Sequence, residues 1–187
     1  MIKDKDADAP LEVLHEGQWL RMLRRGRWEY AERKHSEHGL AVIIVSETPE
    51  HDLLFVEQFR VPLGAPTIEF PAGLVADSDD TDTIEEAARR ELVEETGWSP
   101  AHVKVLLVGP TSAGMTDERI AFARATGLTR VGSGGGVGTE NIVVHQVPRA
   151  EAAAWLMRKG EEGCELDLKL WGGLYLLDRD PDGNPAP

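Results

Sequence analysis

Residues 73–98 read GLVADSDDTDTIEEAARRELVEETGW, and the closing run Arg90-Glu91-Leu92-Val93-Glu94-Glu95-Thr96-Gly97-Trp98 decides how the rest of the chain is read. Thr83 followed three residues later by Glu86 has the pattern of a capping box, and Gly97 supplies a left-handed stop, so the spacing predicts one helix from about Thr83 to Thr96. At about 100° per residue, Ile84, Ala87, Ala88 and Leu92 form a single apolar stripe that must face the core. Glu91 and Glu95 fall inside that stripe and Glu94 lies at its edge. Glu85 and Glu86 point away, placed for surface pairs with Arg89 and Arg90 four residues on. An ordinary acidic helix would put its carboxylates on the other face. Turned inward they are costly unless paired or metal-bound, and Glu91, Glu94 and Glu95 at i, i+3 and i+4 present hard oxygen ligands of the kind a divalent cation takes.

The run from Arg90 to Trp98 resembles the second half of the Nudix box. The first half departs from the family pattern: Asp82 stands where the family has glutamate, and Gly73 is three residues too far from the helix, which reads as an extension near Ser78-Asp79-Asp80. Two further phrases, Glu57-Gln58-Phe59-Arg60 and Glu69-Phe70-Pro71-Ala72-Gly73, resemble the nucleoside-diphosphate-sugar, or ADP-ribose pyrophosphatase-like, branch of that family.

The resemblance implies a Nudix-type α/β/α sandwich with a mixed sheet. It implies Mg²⁺, with Mn²⁺ as the alternative ion, held by Glu91, Glu94, Glu95 and the Ala72 carbonyl. Arg90 would fix the glutamates from behind, so that Glu94 and Arg90 belong with Glu140 to the catalytic set. Trp28-Glu29-Tyr30-x-x-Arg33 is similar to the branch's N-terminal region, whose aromatic stacks on the nucleobase, often across a domain-swapped dimer. Trp28, Glu29, Arg33, Arg60, Glu69 and Met115 are the expected substrate-binding residues, Arg60 on the phosphates. The plain alternatives are that Trp28 packs a small sheet and that Arg60 makes a surface salt bridge.

Two loops remain. Ser112 to Glu118 looks like the loop that carries a Ser-Pro-Gly marker in ADP-ribose hydrolases, with Ala113 in the proline position. Gly132 to Gly138, GSGGGVG, lacks the order of a phosphate loop and reads as a hinge that delivers Glu140 as the water-activating base. The resemblance places Glu140 in a mobile loop remote from the box helix.

Along the chain, Leu11–His15, Gln18–Leu23 and Arg27–Lys34 suggest a small antiparallel meander. Strands are expected at Leu40–Val45, Leu53–Glu57, Val103–Val108, Ile120–Ala125 and Ile142–Val147, and helices at Arg149–Lys159 and Leu166–Leu177. The domain reading is a meander and dimerisation arm over residues 1–36, the hydrolase domain over 37–178 and a loose tail over 179–187. With 187 residues and 41% apolar content the chain can bury one core, and a net charge of −13 argues against nucleic acid as partner. A single cysteine, Cys164, excludes an internal disulfide framework. No apolar run approaches the roughly 20 residues of a membrane span, and no signal pattern is read, so a cytoplasmic, homodimeric enzyme is expected.

The function expected is Mg²⁺-dependent hydrolysis of a nucleoside diphosphate sugar, ADP-ribose to AMP and ribose 5-phosphate. The alternatives are GDP-mannose or another nucleotide sugar as substrate, or a Nudix fold serving as a non-catalytic ligand-binding module.

Overall fold

The computed structural model describes residues 2–34, 39–76, 82–138, 140–179 and 184–185. The extension at Ser78-Asp79-Asp80, the boundary between residues 36 and 37 and most of the tail lie outside them. Strands β1 (Leu11–Glu16), β2 (Leu20–Arg25) and β3 (Trp28–Arg33) form the expected antiparallel meander. Strands β4 (Ala41–Ser46), β5 (Asp52–Arg60), β6 (Ala65–Glu69) and β7 (Ala72–Leu74) precede the helix α1 (Ile84–Thr96). After it come β8 (Trp98–Pro110), β9 (Arg119–Arg130), β10 (Val143–Pro148), α2 (Ala152–Glu161), β11 (Glu165–Leu166) and α3 (Lys169–Asp178).

The mixed sheet is divided into two four-stranded sheets, ordered β7-β4-β9-β8 and β10-β5-β6-β11. In the first, β4 runs parallel to β9 and antiparallel to β7; in the second, only β11 runs parallel to its neighbour, β6. Alternation along β4 builds the layers. Val42 and Ile44 join Ala87, Ala88 and Leu92 of α1 in one core cluster, while Ile43 and Val45 join Leu156 of α2 and Leu170 of α3 in another. Helices therefore cover both sides, and β4, apolar at every position from Val42 to Val45, is buried throughout. No helix among the described residues is long and apolar enough to cross a membrane.

Three departures from the sequence reading have local causes. Strand β8 begins at Trp98, immediately after the helix cap and five residues before the expected Val103; it includes Pro100, which an edge strand tolerates. Leu166, expected in the last helix, pairs with Ile68 instead, and α3 starts at Lys169. The two arginines of α1 find partners other than those expected. Arg89 donates to the carbonyls of Pro100 and Ala101, at 2.6 and 3.2 Å, and Arg90 turns to the box carboxylates.

Candidate active site

The capping box at the start of α1 is complete. The Glu86 N–H donates to Thr83 Oγ1 at 3.2 Å, and the Thr83 N–H donates to the Glu86 carboxylate at 2.9 Å. Gly97 closes the helix at φ 75° with its N–H on the Val93 carbonyl. Between these caps the register is fixed, and Glu95 is only 5% exposed. Glu95 and Glu91 point at the β7 turn. The Ala72 N–H donates to Glu95 Oε2 at 3.0 Å, and the Glu91 carboxylate lies so close over Gly73 that a Cβ there would sit 2.0 Å from its Cδ. Glycine is needed at residue 73 because a carboxylate occupies the space of a side chain.

Arg90 holds the set from one side. It donates to Glu91 at 2.7 Å and to the Leu74 carbonyl at 3.3 Å, and stands 3.6 Å from both Glu94 and Asp82. Asp82 thus serves as a partner of Arg90. Burial raises the pKa of Glu91, with Glu94 and Glu140 adding to it against the pull of Arg90. Burial pushes Glu95 up to about 8, the Ala72 N–H opposing and the charges of Glu91, Glu140 and Glu69 reinforcing.

The glycine stretch behaves differently from the expected hinge remote from the helix. Gly135 N–H donates to the Glu95 carbonyl at 2.8 Å and Gly136 N–H to the Glu94 carbonyl at 3.0 Å, while Val131 and Gly132 both donate to the Gly97 carbonyl. The last carbonyls of a helix have no partner within it, and positive φ at Gly134, Gly135 and Gly136 turns this backbone onto them. A Cβ on Gly134 would lie 2.4 Å from the Thr96 carbonyl carbon. Glu140, whose carboxylate accepts the Val137 N–H at 2.9 Å, is thereby carried beside Glu91 and Glu95.

These groups floor an open cleft of about 700 Å³ that runs between the two four-stranded sheets. Of the residues singled out in the sequence, the cleft brings together Arg33, Arg60, Glu69, Ala72, Glu91, Glu95 and Glu140. Arg60 is held by Glu69 in a two-pronged pair at 2.6 and 2.7 Å, and Arg33 stands 3.4 Å from Glu118. Trp28, 44% exposed, lines a separate small cleft with Tyr30, Ala113 and Gly114, away from the carboxylates. Glu29 and Met115 also stand outside the main cleft, although the Ala31 N–H donates to the Met115 carbonyl at 2.8 Å and ties the meander to that loop. Gln58, Thr67, Asp167 and Lys169 line the main cleft without having been singled out. Nothing local in the sequence marks them, since they meet only through strand pairing.

Among the described residues no three His, Cys, Asp or Glu side chains already stand as a metal-holding group, and Arg90 stands 2.7 Å from Glu91 and 3.6 Å from Glu94. The donor chemistry fits a hard divalent cation nonetheless. Glu95 is buried and Glu91 partly buried, each facing the other's charge beside strand β7, which has no side chain at Gly73, and a cation relieves both desolvation and repulsion.

A family model described as NUDIX domain matches residues 37–137. The methanol dehydrogenase activator of Bacillus methanolicus is 33% identical over 113 residues, 60% of this chain and 60% of that protein. The GDP-mannose pyrophosphatase of Enterobacter sp. (strain 638) is 34% identical over 129 residues, 65% of each. The ADP-ribose pyrophosphatase of Bacillus subtilis (strain 168) is 34% identical over 88 residues, 47% of this chain and 46% of that protein. The matched stretches therefore span less than two thirds of these relatives' own lengths. The crystal structure of an ADP compounds hydrolase superposes with a TM-score of 0.68 at 19% identity, over 90% of this chain and 89% of that one, a likeness of fold.

Proposed function

The chain belongs to the NUDIX family, and on that premise we propose that it is a divalent-cation-dependent hydrolase of nucleoside diphosphate sugars, cleaving ADP-ribose to AMP and ribose 5-phosphate. The observation that carries this reading is the convergence of Glu91, Glu95 and Glu140 at the Ala72-Gly73 turn, with Glu95 buried and its pKa pushed up to about 8.

In this reading water attacks one phosphorus, the bridging P–O bond breaks, and the two phosphate monoesters leave with the water's proton and hydroxyl shared between them. Mg²⁺ held by Glu91, Glu94, Glu95 and the Ala72 carbonyl would neutralise the diphosphate and lower the pKa of bound water, and Mn²⁺ is the alternative ion. Glu140 orients that water or takes its proton. Arg90 keeps Glu91 and Glu94 in place without touching substrate. Arg60, paired with Glu69, faces the diphosphate, and Arg33 lines the same cleft.

Trp28, Glu29 and Met115 do not reach the cleft within one chain. We place them at the nucleobase in a homodimer, where the meander of one subunit meets the cleft of the other. The exposed apolar residues Leu11, Val13, Trp19 and Leu20 of the meander support a covering subunit. The cytoplasm is the compartment proposed. A second substrate reading, GDP-mannose, is favoured by Ala113 in the Ser-Pro-Gly loop and by the relatives that bear that activity in their names.

The test is phosphate release from a panel of nucleotide sugars with an added phosphatase, with and without Mg²⁺. Turnover of ADP-ribose above GDP-mannose is expected. The reverse order would make GDP-mannose the substrate, and no turnover of any member would leave a ligand-binding module.

A further inference from the structure

On the wall of the cleft opposite α1, three strands set a polar row in register. Gln58 of β5 and Glu165 of β11 are both Cα partners of Thr67 in β6, and all three line the cleft. Arg60, Glu69 and Asp167, each two residues further along its strand or just beyond it, line the cleft as well. Ile68, between Thr67 and Glu69, turns to the core and is fully buried. Thr67 and Glu69 are buried, Gln58 is half-buried and Glu165 is exposed, so the row runs from the cleft wall to its rim and carries an amide, a hydroxyl and carboxylates. Thr67 is 3% exposed and its Oγ1 has no hydrogen-bond partner. Buried hydroxyls are nearly always satisfied, so an orphan at a cleft wall marks the place of a ligand atom.

The chemistry of the row narrows the ligand. Among the described residues no aromatic lines the cleft, so this wall offers no stacking surface to a nucleobase. Gln58, Thr67 and Glu165 carry no positive charge; the cations near them are Arg33 beside Glu118, Lys169 on Asp167 and Arg60, held by Glu69 and assigned to the diphosphate, so the row itself offers a phosphate nothing. What it does offer is a carboxylate and an amide oxygen that accept from hydroxyls, with an amide NH₂ and a hydroxyl that donate to them. Neutral polyols present both.

We propose that the Gln58–Thr67–Glu165 row binds the hydroxyl groups of the glycosyl moiety and so selects sugar-bearing diphosphates over bare nucleoside diphosphates. This rests on the nucleotide-sugar reading of the same cleft. Carboxylates on one wall take the diphosphate through its cations, and the opposite wall takes what the diphosphate is attached to.

Calorimetric binding of ADP-ribose and ADP, and of GDP-mannose and GDP, in Ca²⁺ tests the row separately from turnover. We expect the better sugar compound to bind the full-length protein about tenfold more tightly than its bare diphosphate, the worth of one or two hydrogen bonds. Thr67→Val and Glu165→Gln should each reduce that preference severalfold by weakening the sugar compound alone, and Thr67→Ser should retain it. In Mg²⁺ the loss should fall on KM more than on kcat. Equal affinity for sugar and bare diphosphate in the unaltered protein, or a preference unchanged in both variants, overturns the row. A preference that depends on Thr67 in a protein without turnover keeps the row and overturns the hydrolase.

Discussion

The two walls of the cleft are built in opposite ways. One comes from a single helix, whose caps fix its register and whose spacing turns Glu91 and Glu95 inward within five residues. The other is assembled from β5, β6 and a two-residue strand, β11, bringing Gln58 and Thr67 beside Glu165 from far along the chain. The helix wall holds charges that repel one another and gains from a cation. The strand wall holds an amide, the exposed carboxylate of Glu165 and charges paired with one another, with one hydroxyl left over. The proposed function gives chemistry to the first wall and selection to the second, so changes in the first should damage every substrate alike.

The largest effect that tests this division is on the helix wall. Glu95→Gln or Glu91→Gln should lower turnover by about a hundredfold or more for all nucleotide sugars, with the fold kept, because an isosteric amide removes ligand charge without a cavity. Steady-state rates on two substrates, read beside circular dichroism, decide it; a loss confined to one substrate would erase the contrast between walls. Gly73→Ala should follow with a loss of about tenfold, since its Cβ would meet the Glu91 carboxylate at 2.0 Å and force it aside. An unimpaired rate in that variant would show that Glu91 works from another position.

Trp28→Ala addresses a region that belongs to neither wall in one chain. It should raise KM about tenfold, the worth of a stacked base, and change kcat less. A lowered Tm with an unchanged KM would return Trp28 to packing of the meander.

The smallest effect is the most diagnostic of the helix wall. Glu95 and Glu91 have pKa values raised by folding, so without metal the stability they contribute is complete below about pH 4.5 and is lost as pH rises, for Glu95 through about 8. Glu47 and Glu57, lowered by their partners, are themselves protonated only at more acid pH, but each is paired with a histidine, so the share of Glu95 is read from its Gln variant. Melting in EDTA should therefore give a Tm lower at pH 8.5 than at pH 5.5 by about 5 °C or more. Mg²⁺ at pH 8.5 should recover it, and Glu95→Gln should flatten the profile. A Tm that climbs with pH in EDTA would refute the burial of Glu95.

The contrast also explains what could be read in advance. Capping box, glycine stop and inward carboxylates are local facts, visible in fifteen residues, and the structure bears out the helix, its caps and its buried face. The α/β/α layering was implied by the resemblance, and the apolar runs of β4 and β5 marked only that these strands are buried. The row at Thr67 was illegible because a two-residue strand has no periodicity, and because a lone threonine next to Pro66 says nothing of what will stand opposite it. Arg89 misled for a related reason: a helix wheel offers Glu85 as partner, and only the return of β8 past the helix supplies the carbonyls of Pro100 and Ala101. The glycine run was read by composition as a hinge, whereas its φ values make it a cap.

That cap ties two parts of the molecule into one opening event. The amides of Gly135 and Gly136 close on carbonyls of α1, so in hydrogen exchange they should report the last turn of the helix and slow together with it. The loop that brings Glu140 and the turn that brings Glu94 and Glu95 then form a single cooperative unit. Glu140, the proposed water-activating group, should then leave only together with the acidic floor, and exchange that frees Gly135 and Gly136 ahead of the last turn of α1 would break that link.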